Sequence, residues 1–109
     1  MARLSPDRAV LEAPFLGINT RSLIVLAQAR GVLLAGLARR AVAIDEYSPA
    51  EVKSAVTGNG RADKQQVARM VHILLGAREA GWSADATDAL AAALCGAQRL
   101  RLDNLRRER

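Results

Sequence analysis

The chain has 109 residues, half of them hydrophobic, with a mean hydropathy of +0.04 and a formal net charge of +5. That is one domain at most, near the small end of what buries a core unaided, and too apolar for a disordered tail. A single cysteine, Cys95, excludes an intrachain disulfide framework and any cysteine-based zinc site, and three aromatic residues leave the core to Ala, Leu, Val and Ile.

Fourteen of the sixteen basic side chains are Arg. A net positive surface of this kind suits a polyanionic partner. The first residues carry no apolar stretch of the signal-peptide type. The longest nearly apolar run, Leu23 to Ala38, is broken by Gln28 and Arg30 and is shorter than the ~20 residues of a membrane span. A cytoplasmic protein with no membrane partner is expected.

Residues 8–13 read as a buried strand ending in an acid, Glu12, and closed by Pro14, which cannot donate a ladder hydrogen bond. Phe15 to Asn19 reads as a loop. Thr20 is placed to cap a long helix running to about Arg40. That helix is apolar on most sides, with Ala27, Gly31 and Ala35 forming a smooth stripe. Such a helix is covered from two directions, by a sheet and by a further partner. Residues 41–47 read as a second strand, and strand–helix–strand order makes the two strands parallel.

Ser48, Pro49 and Glu51 together signal the start of a short helix ending at about Thr57. Gly58-Asn59-Gly60 breaks it. A third helix is predicted from about Ala62 to Leu75, stopped by Gly76. A loop over 77–83 leads to a last helix starting near Ala84. From Arg99 onward five of eleven residues are Arg, and fraying is expected there.

Three acids stand out by placement. Glu12 ends a strand beside a loop, and Asp85 and Asp88 share one face at the start of a helix. Acids also suit the positive end of a helix dipole. Carboxylates converging from a strand end and a helix start are equally what a hard divalent ion requires. The paired glycines of Thr57-Gly58-Asn59-Gly60-Arg61 allow a backbone concavity for an anion, with Lys53, Arg61 and Lys64 close in sequence. An ordinary glycine-rich helix break fits the same residues, and the pattern is not a Walker A loop. Phe15 reads either as a residue folding back into the core or as a platform for bases. His72 reads as a partly exposed helix residue, Cys95 as a small buried apolar one, and Trp82 as a cover over the start of the last helix.

The ordered segments Val10-Leu11-Glu12-Ala13-Pro14-Phe15, Ala27-Gln28-Ala29-Arg30-Gly31-Val32, Glu46-Tyr47-Ser48-Pro49-Ala50-Glu51-Val52-Lys53, Val56-Thr57-Gly58-Asn59-Gly60-Arg61-Ala62-Asp63-Lys64 and Ala84-Asp85-Ala86-Thr87-Asp88 resemble the RuvC family of Holliday-junction resolvases. The resemblance runs from about Asp7 to Ala97. It implies an α/β, RNase H-like fold, here truncated to a βαβ unit of two parallel strands plus three further helices. It implies a metal-dependent endonuclease acting on four-way junction DNA in recombination and repair.

By the same resemblance, Glu12, Asp85 and Asp88 would be metal ligands and catalytic residues for two Mg²⁺ or Mn²⁺ ions per site. Lys53 and Lys64 would be catalytic phosphate contacts. Phe15, Gly58, Gly60 and Arg61 would join them in binding DNA. Ala27, Gly31 and Ala35 would form a homodimer interface, and a RuvA–RuvB branch-migration helicase would be a partner.

One departure stands beside these matches. The family's first strand, Gly-Ile-Asp-Pro-Gly, carries a fourth ligand and has no counterpart among these residues. The resemblance therefore implies that Met1 is an internal or miscalled start and that the chain is the C-terminal portion of a resolvase. Two functions are open on this reading: a junction endonuclease, or a non-catalytic DNA-binding and dimerisation fragment. A fragment unable to fold alone is a third outcome.

Overall fold

A computed structural model describes residues 5–13, 20–77 and 81–107. The elements, in order, are β1 (Arg8–Glu12), α1 (Thr20–Arg39), β2 (Ala43–Tyr47), α2 (Pro49–Thr57), α3 (Lys64–Leu74) and α4 (Ala84–Arg107). This is the expected α/β arrangement. Thr20, expected as a cap, is itself the first helical residue. Pro14 and Phe15 lie outside the described residues, as does the segment 1–4.

The two strands pair in parallel, from Arg8 opposite Ala43 to Glu12 opposite Tyr47. The Ala43 N–H donates to the Asp7 carbonyl (3.2 Å) and the Ala13 N–H to the Tyr47 carbonyl (2.7 Å), framing the ladder. In a parallel ladder alternate residues bond to the same neighbour. Residues 7, 9, 11 and 13 therefore serve β2, while the main-chain groups of Arg8, Val10 and Glu12 point to the other edge. Among the described residues no third strand pairs there.

The second strand starts two residues later than expected. Residues 41–42 are consumed in ending α1: the Val42 N–H bonds to the Leu37 carbonyl and the Ala41 N–H to the Ala38 carbonyl, both at 3.1 Å. This is a Schellman ending with Ala41 in the left-handed region at φ 54°. The same ending closes α3, where Ala77 and Gly76 bond back to His72 and Ile73 and Gly76 takes φ 66°. Glycine adopts that conformation without the Cβ clash that Ala41 bears.

The start of α2 is as the sequence indicates. Ser48 Oγ accepts from the Glu51 N–H and Glu51 Oε1 accepts from the Ser48 N–H, both at 3.1 Å, with Pro49 in the first turn. The Ser48 N–H, and after it the Ser48 hydroxyl, hold the Glu51 carboxylate below its usual titration range. Helix α3 begins at Lys64 rather than Ala62, because Asp63 and Gln66 make a second capping box. Ala62 is instead buried in the core.

The core lies between α2, α3 and α4 and is built from Val52, Val56, Ala62, Val67, Val71, Ala91 and Cys95. Burial raises the Cys95 thiol above its usual range, as befits an inert packing residue. Trp82 packs against this cluster and faces the His72 ring at 4.9 Å. Helix α4 does not fray at Arg99 but continues to Arg107, with residues 97–107 exposed. Neither Gly nor Pro interrupts that stretch, and its Arg, Leu and Gln are good helix formers.

The sheet meets this helical layer where β1 crosses α4. A Cβ on Gly96 would stand 2.4 Å from Val10 Cγ2, so glycine permits the approach. Helix α1 lies otherwise: its buried residue is Leu37, and Leu23, Arg30 and Leu34 on the same side are half-buried. The rest of the helix surface leaves Ile24, Val25, Leu26, Val32 and Leu33 exposed.

Candidate functional site

Four elements bring the singled-out residues together. Glu12 sits at the end of β1, Lys53 on α2, Lys64 at the start of α3 and Asp88 in the second turn of α4. These four line one open cavity of about 250 Å³ with Pro49, Val52, Val67 and Ala91. Strand alternation explains the Glu12 placement: Val10 and Glu12 share a face, and Val10 is the residue against Gly96 of α4. The α4 start is fixed by Ser83, whose Oγ accepts from the Ala86 N–H (3.1 Å) and whose carbonyl accepts from Thr87 Oγ1 (3.0 Å).

The cavity pairs two carboxylates with two ammonium groups. Lys64 Nζ lies 4.0 Å from Asp88 Oδ2. Both side chains are half-exposed or more, so the pair is weak and exchangeable. The apolar floor of Val52 and Val67 belongs to the buried core, so the charged rim rests on a rigid base.

Asp85, expected beside Asp88, is exposed one turn earlier and does not line the cavity. Among the described residues no three His, Cys, Asp or Glu side chains come together to enclose a metal ion. Glu12 and Asp88 supply the hard oxygen donors that Mg²⁺ or Mn²⁺ takes, but they do not complete a coordination shell.

The glycine loop holds most of its amides internally. The Gly58 N–H bonds to the Ser54 carbonyl (2.8 Å), that of Asn59 to Thr57 Oγ1 (3.1 Å), that of Arg61 to Asn59 Oδ1 (2.9 Å) and that of Ala62 to the Asn59 carbonyl (3.1 Å). Those four N–H groups are engaged within the loop and the end of α2. Gly58 serves as the left-handed helix cap at φ 82°. Gly60 lies against α2, where a Cβ would make ordinary contact with the Ala50 carbonyl oxygen at 3.4 Å. The cationic side chains next to the loop are the exposed Arg61 and Lys64 and the half-buried Lys53.

Ala27, Gly31 and Ala35 are all exposed on α1, and Gly31 has nothing within 4 Å of its Cβ position. Arg30 is a residue that sequence reasoning passed over. It lies on the sheet-facing side of α1, pairs with the Glu46 carboxylate and donates from Nη1 to the Glu12 carbonyl (3.4 Å). The available signal was a charged residue interrupting an otherwise apolar helical stripe. Among the described residues, no helix is long and apolar enough to cross a membrane.

Comparison with known proteins bears on the family and the fold. A family model described as crossover junction endodeoxyribonuclease RuvC matches residues 1–96. The crossover junction endodeoxyribonuclease RuvC of Anaeromyxobacter dehalogenans (strain 2CP-C) is 52% identical over 95 residues, 87% of this chain and 50% of that protein. The protein of the same name from Chlorobaculum parvum is 44% identical over 99 residues, covering 91% and 53% respectively. Among solved structures, Thermus thermophilus RuvC superposes with a TM-score of 0.84 at 33% identity, covering 93% of this chain and 61% of the other. A second structure, T. thermophilus RuvC in complex with Holliday junction substrate, superposes with a TM-score of 0.87 at 32% identity, covering 94% and 62%. The chain thus spans about half the length of the curated relatives it matches, and its fold is the corresponding part of an RNase H-like domain.

Proposed function

Because the chain belongs to the RuvC family of crossover junction endodeoxyribonucleases, we propose that it serves a metal-dependent nuclease that resolves four-way junction DNA in the cytoplasm by phosphodiester hydrolysis. The observation that carries this reading is the gathering of Glu12, Asp88, Lys53 and Lys64 around one cavity from β1, α4, α2 and α3. Few structural roles need two carboxylates and two lysines on an open rim.

Glu12 and Asp88 would hold the divalent ion, Mg²⁺ or Mn²⁺, with Asp85 joining them by rotation of the first α4 turn. The family resemblance carries two such ions per site. When bound, a divalent ion supplies Lewis-acid activation of the attacking water and of the leaving oxygen. Lys53 and Lys64 hold the non-bridging phosphate oxygens and offset the charge that builds on the phosphorus centre. Lys64 is free to do so because its exposed pairing with Asp88 is weak. Arg61, outside the cavity lining, would extend the cationic track beyond it, with Gly58 and Gly60 in the turn that precedes it. Phe15 follows Glu12 by three residues and would stack on a base near the cut strand.

The exposed face of α1, with Ala27, Gly31 and Ala35 between larger apolar side chains, would pair with a second copy. A RuvA–RuvB helicase would act beside that dimer. The deciding experiment incubates the chain with a synthetic four-way junction and Mg²⁺ or Mn²⁺, with Asp88→Asn as control. Paired nicks above the control support the nuclease reading. Junction binding without nicking supports a binding fragment instead and refutes catalysis by this chain.

A further inference from the structure

We infer that Arg30 is a positioning residue that ties helix α1 to the end of β1 and so sets the direction of Glu12. The inference rests on the nuclease reading of the Glu12 cavity and names a residue outside it. Three observations carry it. Leu23, Arg30, Leu34 and Leu37 share the inner side of α1, spaced seven, four and three residues apart. Arg30 therefore stands where the helix pattern calls for an apolar contact, with a side chain only 23% exposed. A half-buried guanidinium on a packing stripe costs desolvation unless its donors are used.

Its donors are used on both strands at one level of the sheet. One Nη pairs with the Glu46 carboxylate of β2. The other donates to the main-chain carbonyl of Glu12 at 3.4 Å. Glu46 lies opposite Leu11, one residue before Glu12. The planar fork of arginine can bridge two acceptors in this way, whereas a lysine ammonium is a point charge on a flexible stem. The Glu12 carbonyl belongs to the set that points away from β2, so the Arg30 N–H is its ligand within the described fold.

The rest of α1 makes this contact consequential. Its fully buried side chain, Leu37, sits near the C-terminal end, two turns from Arg30. The exposed stripe of Ala27, Gly31 and Ala35 runs along the flank of the same helix, with Ala27 one turn from both Leu23 and Arg30. A partner that packs on that face and shifts α1 would move the Glu12 end of β1 through Arg30. Arg30 thereby connects the assembly face to the cavity without touching substrate.

The test uses the whole chain in three variants: Arg30→Gln, Arg30→Lys and Glu46→Gln. The first readout is NMR contacts between the Glu12 side chain and the Val52 and Val67 methyl groups across the cavity, with hydrogen exchange of the Ala13 amide. Arg30→Gln should weaken those contacts and cut Ala13 protection about tenfold. Protection of Val71 and Cys95 in the helical core should stay unchanged. Arg30→Lys should keep a charge partner for Glu46 yet fail to restore Glu12, because it lacks the second fork. Glu46→Gln should give a smaller effect of the same sign. In a nicking assay, junction affinity should hold while the cleavage rate falls roughly tenfold or more, as for a misplaced catalytic group.

Unchanged Glu12 contacts in Arg30→Gln would overturn the inference. So would equal loss of protection at Ala13, Val71 and Cys95, since that marks a general folding role. Absence of cleavage in the unmodified chain refutes the nuclease reading alone, and the NMR arm still decides Arg30.

Discussion

Replacing Gly96 by alanine tests how closely β1 must lie on α4. The new Cβ would stand 2.4 Å from Val10 Cγ2, about 1.4 Å short of the ~3.8 Å at which two carbon atoms rest. Valine cannot swing the methyl aside cheaply, because its branched Cβ restricts χ1. Overpacking of this kind costs about 1–3 kcal/mol. A glycine-to-alanine change inside a helix returns about 1 kcal/mol through propensity. The net expectation is a loss of about 1 kcal/mol, or ~4–8 °C in Tm for a domain near this size. Urea unfolding followed by circular dichroism measures it. The companion Val10→Ala should rescue Gly96→Ala, giving a favourable coupling of about 1 kcal/mol or more in the double-mutant cycle. The displaced strand carries Glu12, so junction nicking should fall more than stability does. A Gly96→Ala protein that is simply more stable by its propensity gain would refute the close packing of β1 on α4.

Ala41→Gly should stabilise the chain by up to about 1 kcal/mol, because the left-handed ending of α1 imposes a Cβ clash that glycine escapes; a drop in Tm would count against the Schellman ending. Glu51 titrates below its usual value through its bonds to Ser48. Its contribution is therefore present above the unfolded value near pH 4.5 and lost as the pH falls through the lower folded value. Thermal melts from pH 6 to pH 3 should show Glu51→Gln losing less stability on acidification than the unmodified chain. Junction affinity should fall as salt rises, and Lys53→Ala and Lys64→Ala should each reduce the log–log salt slope by about 1; slopes equal to that of the unmodified chain would remove both as phosphate contacts.

Local signals proved readable where one or two side chains settle the backbone. Ser48, Pro49 and Glu51 specify the start of α2 because capping needs no distant partner. Gly76 ends α3 for the same kind of reason. The capping box of Asp63 and Gln66 was equally local, and it moves the α3 start to Lys64. Ala41 misled the strand boundary, since alanine carries no sign of a left-handed ending. That conformation follows from hydrogen bonds back to Leu37 and Ala38.

The sequence by itself determined the parallel βαβ unit, the helix order, the family and the identity of the charged residues worth examining. Those follow from periodicity, caps and ordered motifs, which are written along the chain. Only the tertiary structure decided which of those residues meet. It brought Glu12, Lys53, Lys64 and Asp88 to one cavity and left Asp85 outside it. It bonded the Asn59 and Arg61 amides to side chains of the glycine loop and placed Arg30 across the ends of two strands. Such meetings depend on how β1 crosses α4 at Gly96 and how α1 lies on the sheet. Those packing contacts join residues up to 86 positions apart, and no local pattern encodes the distance between them.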